Sequence, residues 1–214
     1  VRGATAGTND ADFTKTSAIR KDYPSVISDF DLSGSFNDNG AAATKLNVSV
    51  NHRSFAWVAA PYRKFVIYRY VIKNNNSTMM SGLYAGMFAD WDVTDATYMS
   101  NRASYDASNR LGYVYNTTSN LHGGTKLLTH DAVHSYAIDN VTGGAGGVDI
   151  SAGFTAAQKF QVLSTDRFND GTGGTGEDMA NVVSTGPFTL FGGDSVVVAF
   201  AMLAGDDLAD LQAS

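Results

Sequence analysis

The ten residues at positions 64–73 (KFVIYRYVIK) constrain the fold more than any other segment. β-Branched or aromatic residues occupy nearly every position between the two lysines, rather than every second position. A strand of this composition is expected to be covered on both faces, which is typical of the interior of a sheet. We therefore predict a β-protein with this strand near the centre of its sheet.

Shorter strand patterns surround this segment. Leu46, Val48 and Val50 alternate with polar residues, which is the period of two expected when one face of a strand is buried. The asparagine-rich segment 74–82 separates two β-like runs and is predicted to be a hairpin loop. The remaining predicted strands cover residues 54–60, 83–93, 111–115, 135–138 and 195–203.

Helical signals are sparse. Thr155 and Gln158 have the spacing of a capping box and predict a helix near residues 155–164. A second short helix is predicted at 177–183, and the acidic segment 206–214 resembles the first turns of a helix. Together these patterns predict an all-β fold, an antiparallel β-sandwich with one or two short helices.

Size and composition favour one domain over residues 1–214. The chain is 43% hydrophobic, enough for an ordinary core, and residues 1–40 form a polar, loop-rich lead-in to the predicted strands. No cysteine is present, which excludes disulfides, thiolate catalysis and cysteine-ligated zinc. The helix-like end and the lack of a recognisable signal peptide suggest a fragment of a longer protein.

Charge and hydropathy exclude two classes of partner. Fifteen Lys and Arg against 21 Asp and Glu give a net charge of −6, so there is no basic field to attract nucleic acid or anionic lipid. The longest apolar run, residues 196–204, falls far short of the ~20 residues needed to span a bilayer. We predict neither nucleic-acid binding nor a membrane span.

Catalytic patterns are missing from the sequence. The four histidines are His52, His122, His130 and His134, and none lies in a recognisable catalytic segment. A G-x-S-x-G motif is also absent, so the nucleophile and base of a serine hydrolase are not evident. We predict that the domain is not an enzyme.

Three aspartates form a candidate calcium site. Asp90 and Asp92 flank Trp91 at a predicted strand end, so both carboxylates point to the side opposite the indole ring. Asp106 follows in the next turn, and Ca²⁺ prefers about 6–8 oxygen ligands of this kind. The alternative is that these aspartates cap turns or pair with Arg102.

A second acidic segment has a partial calcium-loop pattern. Asp29, Asp31, Ser33 and Gly34 match the start of an EF-hand loop, but Gly40 stands where the bidentate glutamate belongs. We interpret this segment as a turn stabilised by aspartate.

Aromatic residues leave two alternatives open. Trp57, Trp91 and the ten tyrosines suit a carbohydrate-binding surface if they lie exposed in a row on a sheet. The same residues at alternate strand positions are also typical of a protein core.

Several segments together resemble a known family. They are similar to the β-rich accessory domain of secreted, subtilisin-like multidomain proteins of Bacteroidetes and related bacteria. The resembling segments are residues 65–74 (FVIYRYVIKN), 83–93 (LYAGMFADWDV), 101–106 (NRASYD), 111–115 (LGYVY) and 186–206.

The resemblance implies a secreted or cell-surface location in bacteria and a non-catalytic accessory role. The implied partners are neighbouring domains of the same chain, among them a peptidase domain, and a protein or glycan ligand. A carbohydrate-binding or adhesion module is the alternative function.

Overall fold

A computed structural model of the chain describes residues 12–130, 132–150, 153–171 and 173–214. The fold is a sandwich of two antiparallel sheets, as predicted. The large sheet has the spatial order β1 (Thr14–Lys21), β2 (Phe30–Asn37), β3 (Val48–Ala56), β4 (Phe65–Asn74), β11 (Ser195–Gly205), β8 (His122–Leu127), β7 (Leu111–Asn116) and β6 (Asn101–Asp106). The small sheet has the order β5 (Met80–Trp91), β10 (Met179–Leu190) and β9 (His134–Asp139).

Two short α-helices pack against the outer faces of the sheets, one on each. Helix α1 (Ala156–Ser164) begins at the predicted capping box, in which Thr155 accepts from the backbone N–H of Gln158 and the Gln158 side chain accepts in return. Its buried Val162 packs on the outer face of the small sheet. Helix α2 (Leu208–Ala213) packs on the outer face of the large sheet through Leu211. The described part of the chain contains no helix long and apolar enough to cross a membrane.

The two sheets approach each other closely at one end of the sandwich. A side chain on Gly123 of β8 would begin 2.7 Å from the ring of Trp91, and one on Gly112 of β7 would begin 2.7 Å from Val183. Both glycines are on the large sheet, whereas Trp91 and Val183 belong to the small one. Here the absence of side chains lets the small sheet lie directly against β7 and β8.

The opposite end of the sandwich is open. The small sheet has three strands and the large sheet has eight, so the small sheet covers only part of the large one. It packs over β11, β8, β7 and β6, and the inner face of β1 to β4 extends beyond it. Residues 65–72 of β4 are only half-buried, and this holds for both faces of the strand. The sequence predicted a central strand covered on both faces; β4 is central, but neither face is fully covered.

Four local predictions were wrong. The strand predicted at 54–60 is not a separate one, because residues 54–56 end β3 and residues 57–60 lie outside any strand. The segment predicted as a helix at 177–183 contributes to β10, which pairs with β5 on one side and β9 on the other. Residues 74–82 do not form a hairpin loop, because β4 and β5 belong to different sheets. The lead-in at 1–40 contains β1, an exposed edge strand, and β2, which pairs with β1 and β3; the polar sequences of both lack the apolar alternation of a strand. Residues 1–11 lie outside the described part of the chain.

Candidate functional site

An apolar groove of about 610 Å³ runs along β5, and we call it the β5 groove. Six consecutive residues of the strand, 83–88, line it. Successive side chains of a strand point to opposite faces, so a groove that contacts six in a row must follow the strand's edge. That edge is the one opposite β10, where no other strand of the described chain pairs with β5.

The walls of the groove come from both layers of the protein. One wall consists of α1 and the residue Phe154, which packs against Phe88 with ring centroids 5.8 Å apart. The other wall is the inner face of the large sheet. Phe36, Tyr70 and Ile72 are half-buried there, and Val48 and Val50 beside them are buried.

The rim of the groove exposes apolar side chains to solvent. Phe13 and Leu46 are 51% and 55% exposed, and Phe13 meets Phe36 edge-to-face with ring centroids 5.2 Å apart. An exposed apolar patch continuous with a groove is typical of a binding surface.

Burial favours the neutral forms of Tyr70, which belongs to the large-sheet wall, and of its neighbour His52. Burial raises the pKa of Tyr70 to about 12, so its phenol stays protonated at physiological pH. His52 stacks on Tyr70 and Tyr68 with ring centroids 5.1 and 5.9 Å apart, and burial lowers its pKa, which favours the neutral imidazole. This wall therefore suits an uncharged, apolar ligand surface.

A second, more polar cleft of about 460 Å³ lies on the outer face of the large sheet beside α2. Tyr113, Tyr115 and His122 form its aromatic floor. The rings of Tyr115 and His122 are 5.4 Å apart at 17°, and those of Tyr113 and Tyr115 are 6.2 Å apart. Arg102, fixed by two 3.3 Å hydrogen bonds to Asp170, and Asn120 add polar groups.

The predicted aspartates occupy different environments. Asp90 lies exposed on β5, where it accepts a 3.2 Å hydrogen bond from the side chain of Asn140, and Asp92 is exposed just beyond the strand. As predicted, Trp91 points the other way and packs in the core between the sheets. The described residues contain no group of three or more His, Asp or Glu that could hold a metal ion.

Asp106 caps the turn between β6 and β7. Its carboxylate accepts from the backbone and side chains of Ser108 and Asn109, and from the side chain of Gln212. Hydrogen bonds from Asn109 and Ser108 hold the pKa of Asp106 well below its usual range. This is the turn-cap alternative for Asp106, whereas Arg102 pairs with Asp170.

The calcium site at Asp90, Asp92 and Asp106 stays a prediction. If Ca²⁺ binds the folded state alone, a hundredfold excess over Kd stabilises it by about 2.7 kcal/mol. Melting of demetallated protein is then expected to rise in millimolar Ca²⁺, and Asp92→Asn to reduce the rise. If neither calcium nor chelator changes the melting temperature, Asp90, Asp92 and Asp106 act only as turn caps and hydrogen-bond acceptors.

Three histidine rings contact carbonyl or carboxylate oxygens of the fold. The ring of His122 contacts the carbonyl of Asn120 at 2.8 Å, and that of His130 contacts the carbonyl of Val197 at 2.7 Å. His134 contacts the carboxylate of Asp166 at 3.2 Å. None of these partners is a hydroxyl nucleophile, and the absence of enzyme activity stays a prediction.

The tryptophans do not form a row. Trp91 donates from Nε1 to the side chain of Asn181 inside the sandwich, whereas Trp57 packs with Tyr62 and Phe65 near the start of β4. The aromatic floor of the polar cleft was not singled out from the sequence, although Tyr113 and Tyr115 alternate as residues of one strand face do.

No protein-family model matches the chain, and no curated protein matches it.

Proposed function

We propose that this chain is a non-catalytic accessory domain of a secreted or cell-surface bacterial protein, and that it binds a neighbouring domain through the β5 groove. The groove is the observation that carries the proposal, because it leaves apolar side chains of both layers open to a partner. The family resemblance of residues 65–206 supports a location beside a peptidase domain.

One substitution tests the contact with a neighbouring domain. Leu46→Asp places a charge on the exposed rim of the groove, so we expect little effect on the melting temperature of the isolated domain. In the longer polypeptide that contains the neighbour, the same change should lower the melting temperature by several degrees. Val58→Asp is the matched control, since Val58 is 64% exposed and lies outside the groove.

Two results would contradict this function. Equal effects of Leu46→Asp and Val58→Asp in the longer polypeptide would exclude the groove as the contact. Turnover of casein or of a glycan by the purified domain, abolished by one point substitution, would show that the domain is itself an enzyme.

Carbohydrate binding is the second candidate function, and the polar cleft is the observation that favours it. Flat aromatic side chains stack on sugar rings, and Arg102 and Asn120 supply hydrogen bonds for hydroxyl groups. Tyr115→Ala should then abolish binding on a glycan array, whereas Tyr62→Ala, at an exposed tyrosine outside the cleft, should not. An array without any bound glycan would remove this candidate.

A further inference from the structure

The open edge of β5 is a template for another strand. The strand is 12 residues long and pairs along one side with β10. In such a strand, the backbone N–H and C=O of every second residue point toward the neighbour and those of the residues between point away from it. On the open side these groups can complete hydrogen bonds with an added strand.

The position of the edge determines what an added strand would contact. Neighbouring strands lie about 4.8 Å apart and packed sheets about 10 Å apart. A strand beside β5 would therefore extend the small sheet over the part of the large sheet that it leaves uncovered. Alternate side chains of that strand would meet the half-buried Phe36, Tyr70 and Ile72, and the others would face the wall formed by Phe154 and Leu163.

The composition of β4 independently indicates a missing cover. Both faces of this strand are rich in β-branched and aromatic residues, as in strands buried on both sides. Yet residues 65–72 are half-buried on both faces, and on the inner face Tyr70 and Ile72 line the groove. An added strand would cover these two residues.

The recessed position of the edge favours a single extended segment over a second copy of this chain. Pairing of two copies would bring both β5 edges together, but in each copy α1 stands on one side of the edge and β3 and β4 on the other. One extended chain can enter between these walls without displacing them.

We propose that the β5 groove binds one extended polypeptide segment, which pairs its backbone with β5 and becomes the fourth strand of the small sheet. This inference rests on the proposed accessory function and specifies its contact. The segment carries apolar residues at alternate positions and no charges where it faces the large sheet, whose wall is apolar and neutral. This is strand addition with side-chain pockets for every second residue.

The probe is a nine-residue peptide that alternates valine with threonine and carries a lysine at each end. We expect saturable binding to the isolated domain, at least tenfold weaker for Leu46→Asp and unchanged for Val58→Asp. Two N-methylated peptides test the backbone pairing, one methylated at the valine amides and the other at the threonine amides. Only one of them should lose binding, because only alternate residues of the peptide face β5.

Amide hydrogen exchange provides the second measurement. Peptide binding should slow exchange at every second residue of the segment 85–90, where the pairing with β10 is regular, while the residues between, already bonded to β10, should change little. Loss of binding with both methylated peptides or with neither, or protection without this alternation, would overturn the proposal.

Other occupants of the groove are also distinguishable. If the monomeric domain binds laurate but not the peptide, or binds neither, the proposal is overturned. It is also overturned if the domain forms a dimer in which the β5 amides are protected without peptide, because the groove would then hold a second copy of the chain. None of these results decides the accessory function, which is tested separately with Leu46→Asp in the longer polypeptide.

Discussion

Replacement of Asp31 by alanine is expected to destabilise the domain by about 3 kcal/mol or more. The Asp31 side chain is fully buried, and its carboxylate accepts from the backbone N–H groups of Val26, Ile27 and Ser28 at 2.8–2.9 Å. The Ser28 hydroxyl donates a further bond of 2.6 Å. Alanine would leave all four donors without their acceptor, and the loop between β1 and β2 would lose its anchor.

Urea unfolding of Asp31→Ala measures this loss. Asp92→Ala is the control, since Asp92 is exposed and its replacement should change the free energy of unfolding by less than about 0.5 kcal/mol. Equal stability of the two variants would show that the loop does not depend on Asp31.

The same carboxylate makes stability depend on acid pH. Burial opposes ionisation of Asp31, but hydrogen bonds from Ser28, Ile27 and Val26 outweigh it and hold the pKa well below the ordinary value of 3.8. A depressed pKa contributes stability that is fully present above pH 3.8 and is lost as the pH falls toward the folded-state value. Asp31→Asn should flatten this part of the stability curve, whereas Asp92→Asn should not.

Gly123→Val is expected to destabilise the domain by about 3 kcal/mol, because the added side chain would begin 2.7 Å from the Trp91 ring. Trp91 would have to leave its site between the sheets and break its 2.9 Å hydrogen bond to Asn181. Urea unfolding measures the loss, and a red shift of tryptophan emission would report the displaced ring.

Thr125→Val in the same strand is the matched control. Thr125 is fully buried, and its hydroxyl has no hydrogen-bond partner among the described residues. Valine has the same shape, so this change should be neutral or slightly stabilising. If Gly123→Val were tolerated as well as Thr125→Val, the close approach of the sheets at β8 would be excluded.

The sequence predicted the elements that depend on interactions between residues close together along the chain. The capping box at Thr155 and Gln158 needs only neighbouring backbone groups, and α1 begins there. The alternation of Val48 and Val50 belongs to β3, whereas Leu46 lies in the loop before the strand begins at Val48. The all-β class followed from many such patterns together.

Pairing between distant segments was not predictable in this way. Residues 177–183 are bounded by glycine and proline, which end helices and strands equally often. They form a strand because β10 pairs with β5 on one side and β9 on the other. The crossing from β4 to the small sheet likewise depends on the whole fold. The β5 groove was missed for this reason, since its walls come from segments more than 100 residues apart.

The acidic residues illustrate the same limit on site prediction. Asp31 belongs to a pattern that resembles a calcium loop, yet its oxygens accept from nearby backbone groups, as the turn interpretation predicted. The donors around Asp106 include Gln212, which is 106 residues away along the chain. The composition of a segment does not show which of its carboxylates already accept hydrogen bonds from other parts of the protein.

The open edge of β5 is the central claim, and amide hydrogen exchange of the free, monomeric domain tests it most directly. Along residues 85–90, exchange should alternate between slow amides bonded to β10 and fast amides on the open edge, while residues 179–184 of β10, paired on both sides, should all be protected. Uniformly slow exchange along β5 in the monomer would show that the edge is already covered and would contradict the proposed binding groove.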